Sequence, residues 1–459
     1  MSGTFSSFGT ALSALHHNRV LMDVASSNIA NSATPGYARR RAEAETVGAP
    51  AQPAMWSRYD GAGEGVRTAD VVRMTDEFLQ SRARYEHGNN SYLSTRAAAL
   101  TRFEAGIGEP GDNGVAAALN DFRTGWHDLA VSPGGDAARS QVLDRAATLV
   151  ESIRVQASNV AKEEGSQRDR LQTLVGEVNT LASDLADTNR AIAVAGFSGT
   201  DANLLLDQRD QLAMRLSELT GGVATQRADG GLDVSVNGTA LVTGQEAGRL
   251  VVATGATGGT VSLAVETAGG STAVAPGMRG EIGATADLLT VTLPDYRAGL
   301  DDVVRELVTD VNTQHRSGYA LDGTPGGDFF AFDAADPAGS LRVAVTDLDQ
   351  VAASGIPGGG LDGGNATALA ATGGAESGYQ RLVNGLGSEI ASVRRLASNQ
   401  SALTAQVDGT RDQLAGVNLD EEMVGLVSAQ RAYEAASRVM STLDQMLDTL
   451  INRTGLVGR

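Results

Sequence analysis

Residues 5–39 read FSSFGTALSALHHNRVLMDVASSNIANSATPGYAR, and they organise the rest of the chain. Phe5, Phe8, Leu12, Leu15, Arg19, Met22, Ser26 and Ile29 are spaced alternately by three and four. That is a heptad seam with two polar members on a single helix. It runs into Asn28-Ile29-Ala30-Asn31 and then Thr34-Pro35-Gly36-Tyr37-Ala38-Arg39. Pro35 removes a backbone donor and disfavours helix at Thr34, and Gly36 permits positive φ. The helix therefore stops in a defined turn and the chain leaves it extended.

The far end answers this pattern. From Leu419 a second seam runs through Met423, Leu426, Gln430, Tyr433, Ser437, Met440, Leu443 or Asp444, Leu447 and Leu450. An isolated helix of this kind is marginal in water, so each stripe needs cover. The spacing suits two terminal helices that pair with each other and with neighbouring copies. It also suits an ordinary core face within one molecule.

The stretch from Ser26 to Arg39 resembles the N-terminal signature of bacterial flagellar axial proteins, which include rod, hook and hook-associated families. Asn28, Asn31, Thr34, Pro35, Gly36, Tyr37 and Arg39 carry the likeness. Three inner stretches narrow it. They are Asn203-Leu204-Leu205-Leu206-Asp207-Gln208-Arg209-Asp210-Gln211-Leu212, Val311-Asn312-Thr313-Gln314-His315 with the later Asp328-Phe329-Phe330, and Gly416-Val417-Asn418-Leu419-Asp420-Glu421-Glu422. Each is similar to a signature of the hook-associated protein 1 family, the hook–filament junction proteins. Larger members insert a second β domain after the position of Phe330; here only a short loop leads to Leu341-Arg342-Val343.

Composition fits an elongated assembly protein. The 459 residues hold 4% aromatics and 56 glycines, which argues against one large close-packed core and for long helices sharing narrow seams. The net charge of -19 sets nucleic acid and anionic membranes aside as partners. There is no Cys, hence no disulfide framework, thiolate metal site or Cys nucleophile. No apolar run is long enough to span a bilayer, and the N-terminus lacks the pattern of a cleaved secretory signal.

Read in order, residues 42–70 are a Pro- and Gly-punctuated loop with room for a hairpin. Helical spacing returns from Val71 to Ile107, and again from Val115 to Val131. Asp136 is read as the cap of a very long helix that breaks between Gly196 and Asp201; at about 55–60 residues it would span about 85 Å. Asn203 starts another helix, closed by Gly221-Gly222. The period then changes to two, and Asn237-Gly238 marks a tight hairpin. Helices resume at Glu281, with Pro294 at a start or kink, and end in about Glu376–Leu414 and Leu419–Asn452, hinged at Gly416. The predicted fold is mainly α: a long helical bundle, paired terminal coiled-coil helices and one small inserted β domain. The expected domains are 1–41 plus 416–459 (terminal pair), 42–221 plus 280–415 (bundle) and 222–279 (outer β domain).

Candidate chemistry is sparse. His16, His17 and Asp23 lie too far apart along one helix to share a metal. The Asp322–Asp328 loop near His315 supplies oxygens but lacks the calcium-loop spacing. No phosphate loop or nucleophile elbow stands in a suitable setting. Asp207, Arg209 and Asp210 read as helix-holding residues. Asn418 or Asp420 can cap the last helix, with Glu421 and Glu422 at its positive end.

The expectation is a non-enzymatic structural adaptor without cofactor or metal, set against a surface or cell-wall hydrolase working from the central region. Another axial protein, hook or rod, is the nearer alternative. The resemblance implies a motility role in flagellum assembly. It also implies export, uncleaved, by the flagellar type III apparatus, and so an expected location in the cytoplasm before export and outside the cell on the flagellum afterwards. The partners implied are further copies in a ring, the hook protein, the second junction protein (hook-associated protein 3) and an export chaperone on the C-terminal helix. The terminal helices are expected to be largely disordered in the free subunit and to fold on assembly. The expected assembly interface is Phe5, Phe8, Leu12, Leu15, Met22, Ile29, Leu419, Met423, Leu426, Tyr433, Met440, Leu447 and Leu450.

Overall fold

A computed structural model describes residues 2–48, 65–112, 114–254, 261–358 and 360–449. The N-terminal seam forms helix α1 (Ser2–Ala30), followed by an antiparallel hairpin of β1 (Arg40–Thr46) and β2 (Val66–Arg73). The helical spacing read from Val71 onward thus starts later. Val71 to Arg73 pair with Arg40 to Ala42, and α2 occupies Glu77–Ile107, its first turn capped by the Asp76 side chain.

Next come α3 (Val115–Val131), α4 (Asp136–Ser198) and α5 (Asn203–Thr220). Helix α4 runs 63 residues, with Gly135 rather than Asp136 at its N-cap, and stops at Gly199 in the left-handed region. It serves two cores. Its first half packs Val142, Leu149 and Ile153 against Phe122, Trp126 and Leu129 of α3; its second half packs Leu171, Val178 and Leu185 against Leu216 and Leu219 of α5.

The inserted β region rests on that second half. A four-stranded antiparallel sheet holds β3 (Val223–Gln226), β4 (Leu232–Val236), β5 (Thr239–Thr243) and β6 (Glu246–Ala247). A three-stranded one holds β7 (Arg249–Thr254), β8 (Val261–Thr267) and β9 (Gly270–Ala273). Between β4 and β5, Asn237 and Gly238 both take positive φ, the tight-turn geometry that matches strand twist.

The chain returns through α6 (Gly280–Asp287) and α7 (Leu293–Arg316), separated by a single π-helical turn at Leu288–Thr292. Pro294 stands just beyond it and lacks the N–H that regular α-helical bonding requires, so the register slips locally. The strand expected near Leu341–Val345 is β11 (Arg342–Val343), which pairs with β10 (Phe330–Ala331), and the short loop between them carries α8 (Pro337–Ser340). Helix α9 (Gly364–Ala370) leads to α10 (Gly374–Ala415), which lies along α2, and α11 (Leu419–Asp448) returns along α1.

Two buried polar groups fix the α7 end. The Asn312 side chain accepts from the Phe329 and Phe330 amides and donates to the Phe330 carbonyl. His315 Nε2 accepts from the Ala352 amide, so Nδ1 carries the proton and donates to the Gly327 carbonyl. The stretch read as a signature is therefore a folding device.

Candidate functional site: a three-way junction of the terminal helices and the bundle

The turn that ends α1 is built by its own residues. Asn31 Nδ2 donates to Ser27 O, the Thr34 amide to Asn31 O and the Tyr37 amide to Thr34 O. Gly36 sits at φ +77°, and a Cβ there would overlap the Gln211 side chain, which donates to the Pro35 carbonyl. The positive φ favours glycine, and any larger residue would also make Gln211 give up its bond to Pro35.

Behind the turn lies Asn28, fully buried, with every hydrogen-bonding position used. Its Oδ1 accepts from the Arg40 amide at 3.0 Å and from the Tyr37 hydroxyl at 2.8 Å. Its Nδ2 donates to the Arg40 carbonyl at 2.9 Å and to Glu422 at 3.0 Å. Glu422 also accepts from Arg39 Nε at 2.7 Å, while Arg39 Nη2 meets Glu421 at 2.9 Å. These contacts raise the affinity of Arg39 for its proton, the hydrogen bond to Glu421 first. Asn418 caps α11 by accepting from the Asp420 and Glu421 amides, and the Arg39 amide donates to Ala415 O at the end of α10.

Helix α5 completes the junction. Arg73 donates to Asp207 at 2.8 Å and to Asp210 at 2.7 Å; Arg40 reaches Asp207 at 3.4 Å, and Arg209 holds Asp210 at 2.6 Å. Burial pushes the Asp207 carboxyl up, against the opposing pull of Arg73 and Arg40. Asn203 donates to the Val71 carbonyl, tying the start of α5 to the hairpin. Three stretches read separately in the sequence (28–39, 203–211 and 418–422) thus meet in one place. Between them opens a cleft of about 1040 Å³ lined by Tyr37, Gln211, Met214, Arg411 and Val417, among others.

Helices α1 and α11 lie together along their length. Among the described side chains of α1 the buried ones are Ala11, Ala25 and Asn28, so a small-residue face, one position round from the heptad seam, is the covered one. Leu15, Met22 and Ile29 are half-buried at its rim, and Phe8 and Leu12 are exposed. On α11, Leu426, Met440 and Leu447 are half-buried and Tyr433 is 37% exposed. They share a stripe with buried Glu422 and Ala429, whereas Leu419 and Met423 are exposed, the latter at 56%. The Phe5 side chain and Leu450 lie outside the described residues. Of the turn residues, Asn28, Tyr37 and Arg39 enter the junction directly, and Asn31, Thr34, Pro35 and Gly36 shape the bend.

Sequence reasoning missed four contributors: Arg40, Arg73, Gln211 and the Asn28–Glu422 contact. Arg40 and Arg73 flank the hairpin and pair across it, but nothing local marks them. Glu422 stands in the first turn of α11, where a dipole role already accounts for it.

His17 Nδ1 lies 2.9 Å from the Thr68 hydroxyl and His16 is exposed. Asp322 bonds to Thr324, and Asp328 pairs with Arg316. No group of three His, Cys, Asp or Glu able to hold a metal occurs among the described residues.

Comparison with known proteins follows the same division. Residues 100–330, half of the chain, match the model for the flagellar hook-associated protein FlgK helical domain. Residues 8–37 match that for the flagella basal body rod protein, and 413–453 that for the flagellar basal body rod FlgEFG protein C-terminal region. The two ends that meet at the junction thus carry the patterns shared with rod proteins, and the middle carries the narrower one. Flagellar hook-associated protein 1 of Bacillus subtilis (strain 168) is 29% identical over 517 residues, with both chains fully covered. The Escherichia coli (strain K12) protein of the same name is 22% identical, covering 96% of this chain and 98% of its own. The flagellar hook junction protein FlgK from Burkholderia pseudomallei shares the fold, with a TM-score of 0.67 at 16% identity over 73% of this chain and all of its own. The chain belongs to the flagellar hook-associated protein FlgK family.

Proposed function

We propose that this protein is the first hook–filament junction component of a bacterial flagellum, a structural adaptor and not an enzyme. The observation that carries the reading is the junction itself. It fixes the direction in which the terminal helix pair leaves the bundle, through buried bonds contributed by both chain ends and α5. An adaptor between a flexible hook and a stiff filament needs such a fixed angle between the layer that packs inside the axis and the part that stands outside it.

In this reading the terminal pair (1–41 with 416–459) forms the inner layer, the bundle (42–221 with 280–415) stands outside it, and the β region (222–279) faces outward. The exposed apolar residues of the pair, Phe8, Leu12, Leu419 and Met423 among them, meet neighbouring copies in a ring. Such a ring sits on the hook protein and beneath the second junction protein. Before type III export, a chaperone covers the α11 stripe in the cytoplasm. Covering that stripe prevents premature polymerisation, and the terminal helices order fully on assembly.

Immunogold labelling of isolated hook–filament particles tests this. Label confined to the boundary between hook and filament supports it. Label along the hook or the rod would assign the chain to another axial position.

A further inference from the structure

One charged side chain outside the junction is placed in a way that only one protonation state satisfies. His87 of α2 has a carboxylate at each ring nitrogen: Glu218 of α5 lies 3.3 Å from Nδ1, and Asp408 of α10 lies 3.0 Å from Nε2. A carboxylate only accepts, and a neutral imidazole donates from one nitrogen alone. The neutral ring therefore sets a lone pair against a carboxylate on one side, whichever tautomer it takes. Only the imidazolium bonds both.

The surroundings come from α2, α5 and α10, with Glu177 of α4 and Glu281 of α6 behind them. From α5, Arg215 donates to Glu218 at 3.1 Å and is shared with Glu177 and Glu281. From α10, Arg411 lies 3.6 Å from Asp408, with Asp412 beside it at 4.0 Å. On α2 itself, Glu86 is held by Arg82 and Gln400, and Arg84 by Glu77. Arg215 thus meets Glu218 and Arg411 meets Asp408, and among the described residues His87 is the cation that touches both carboxylates. The hydrogen bond that His87 donates to Glu218 raises its proton affinity above that of free histidine, in excess of the opposing effect of burial, and His87 in turn holds Glu218 below the usual carboxylate range.

The position gives this triad consequence. Asp408 lies two turns before the end of α10, and Ala415, which closes that helix, accepts the Arg39 amide at the junction. Glu218 and Arg411 line the cleft between bundle and turn. The geometry points to His87 as a proton-dependent pin: protonated, it clamps the last turns of α10 onto α2 and α5 and so fixes the hinge at Gly416, and deprotonated, it releases them. Because the folded-state pKa is raised, the clamp is fully present below the pKa of free histidine and is lost as pH rises through the folded value.

Two measurements on the full-length chain test this. The His87 Cε1–H resonance is titrated by NMR, and backbone amide exchange over 405–415 is followed across the same pH range, corrected for intrinsic rates. The expected result is a titration above that of free histidine, with protection of this segment falling about tenfold for each unit of that elevation, and in step with it. The His87→Gln variant should show low protection independent of pH. The His87→Lys variant, charged throughout, should keep it high across the range, which separates the clamp from a general effect of the net negative charge. Titration at or below the value of free histidine, or protection of 405–415 that ignores the His87 titration, would overturn the assignment, and both are read on the unmodified protein even if neither variant folds.

Discussion

Asn28 and Glu422, 394 positions apart, meet at 3.0 Å in a buried site, and through them the first helix of the chain reads the start of the last. Asn28 also bonds both main-chain groups of Arg40 and the Tyr37 hydroxyl. One amide thereby sets the end of α1, the start of the hairpin and the start of α11 together.

Truncating that amide removes four hydrogen bonds at once, one of them to a buried carboxylate. Asn28→Ala should destabilise the folded chain by about 2–4 kcal/mol, with the urea midpoint as the measure. Asn28→Asp should be at least as damaging near neutral pH, because it sets a second carboxylate against Glu422.

Gly36 carries two independent constraints, a positive φ and contact with Gln211. Gly36→Val should cost about 1–3 kcal/mol and impair incorporation into the flagellum. Adding Gln211→Ala should recover the steric part of the loss and leave the backbone part. Full recovery in the double variant, measured by the same denaturation, would show that φ is not limiting.

Asp207 is shared by Arg73 and Arg40 in a buried network. Removing it as Asp207→Ala takes the acid from Arg40 and leaves Arg73 with Asp210 alone, and should cost about 3 kcal/mol. Arg40→Ala, at the longer contact, should cost less. Thermal unfolding of the two single variants ranks them.

His315 gives a pH signature of opposite sign to that of His87. Burial pushes its imidazole down, so the folded state keeps a neutral ring whose Nε2 accepts the Ala352 amide. The unfolded chain takes up a proton near the ordinary histidine value. Stability from this site is therefore full above that value and declines as pH falls through it towards the lower folded one. Urea midpoints taken between about pH 7 and 5 should fall for the natural chain and be flatter for His315→Asn.

The α11 stripe is tested by Leu426→Asp and Met440→Asp. Both side chains are half-buried beside α1, so each change places a charge on the covered face. Chaperone capture and flagellar assembly should both be lost, read by pull-down and by motility. Retention of both would remove this stripe from the interface.

Helix periods, the tight Asn237-Gly238 turn and the break at Gly199 are local matters of spacing and backbone freedom, and the sequence carries them openly. So does the cap at Asn418. The partners are another matter. The reason Asn28 is Asn lies at Glu422, the reason Gly36 is Gly lies partly at Gln211, and Arg73 finds its acids on α5. No window of neighbouring residues contains those pairs. The seam of α1 illustrates the same boundary: spacing identified an apolar stripe, but Ala11 and Ala25 beside it take the covered face. Small residues allow the closer helix approach, and hydrophobicity alone does not rank them.

The most direct test of the junction role is deletion of the gene, with hooks imaged and flagellin assayed in the medium. The account predicts intact hooks, no filaments and flagellin shed into the medium, restored by the natural chain. Missing hooks or rods, or normal filaments, would contradict it.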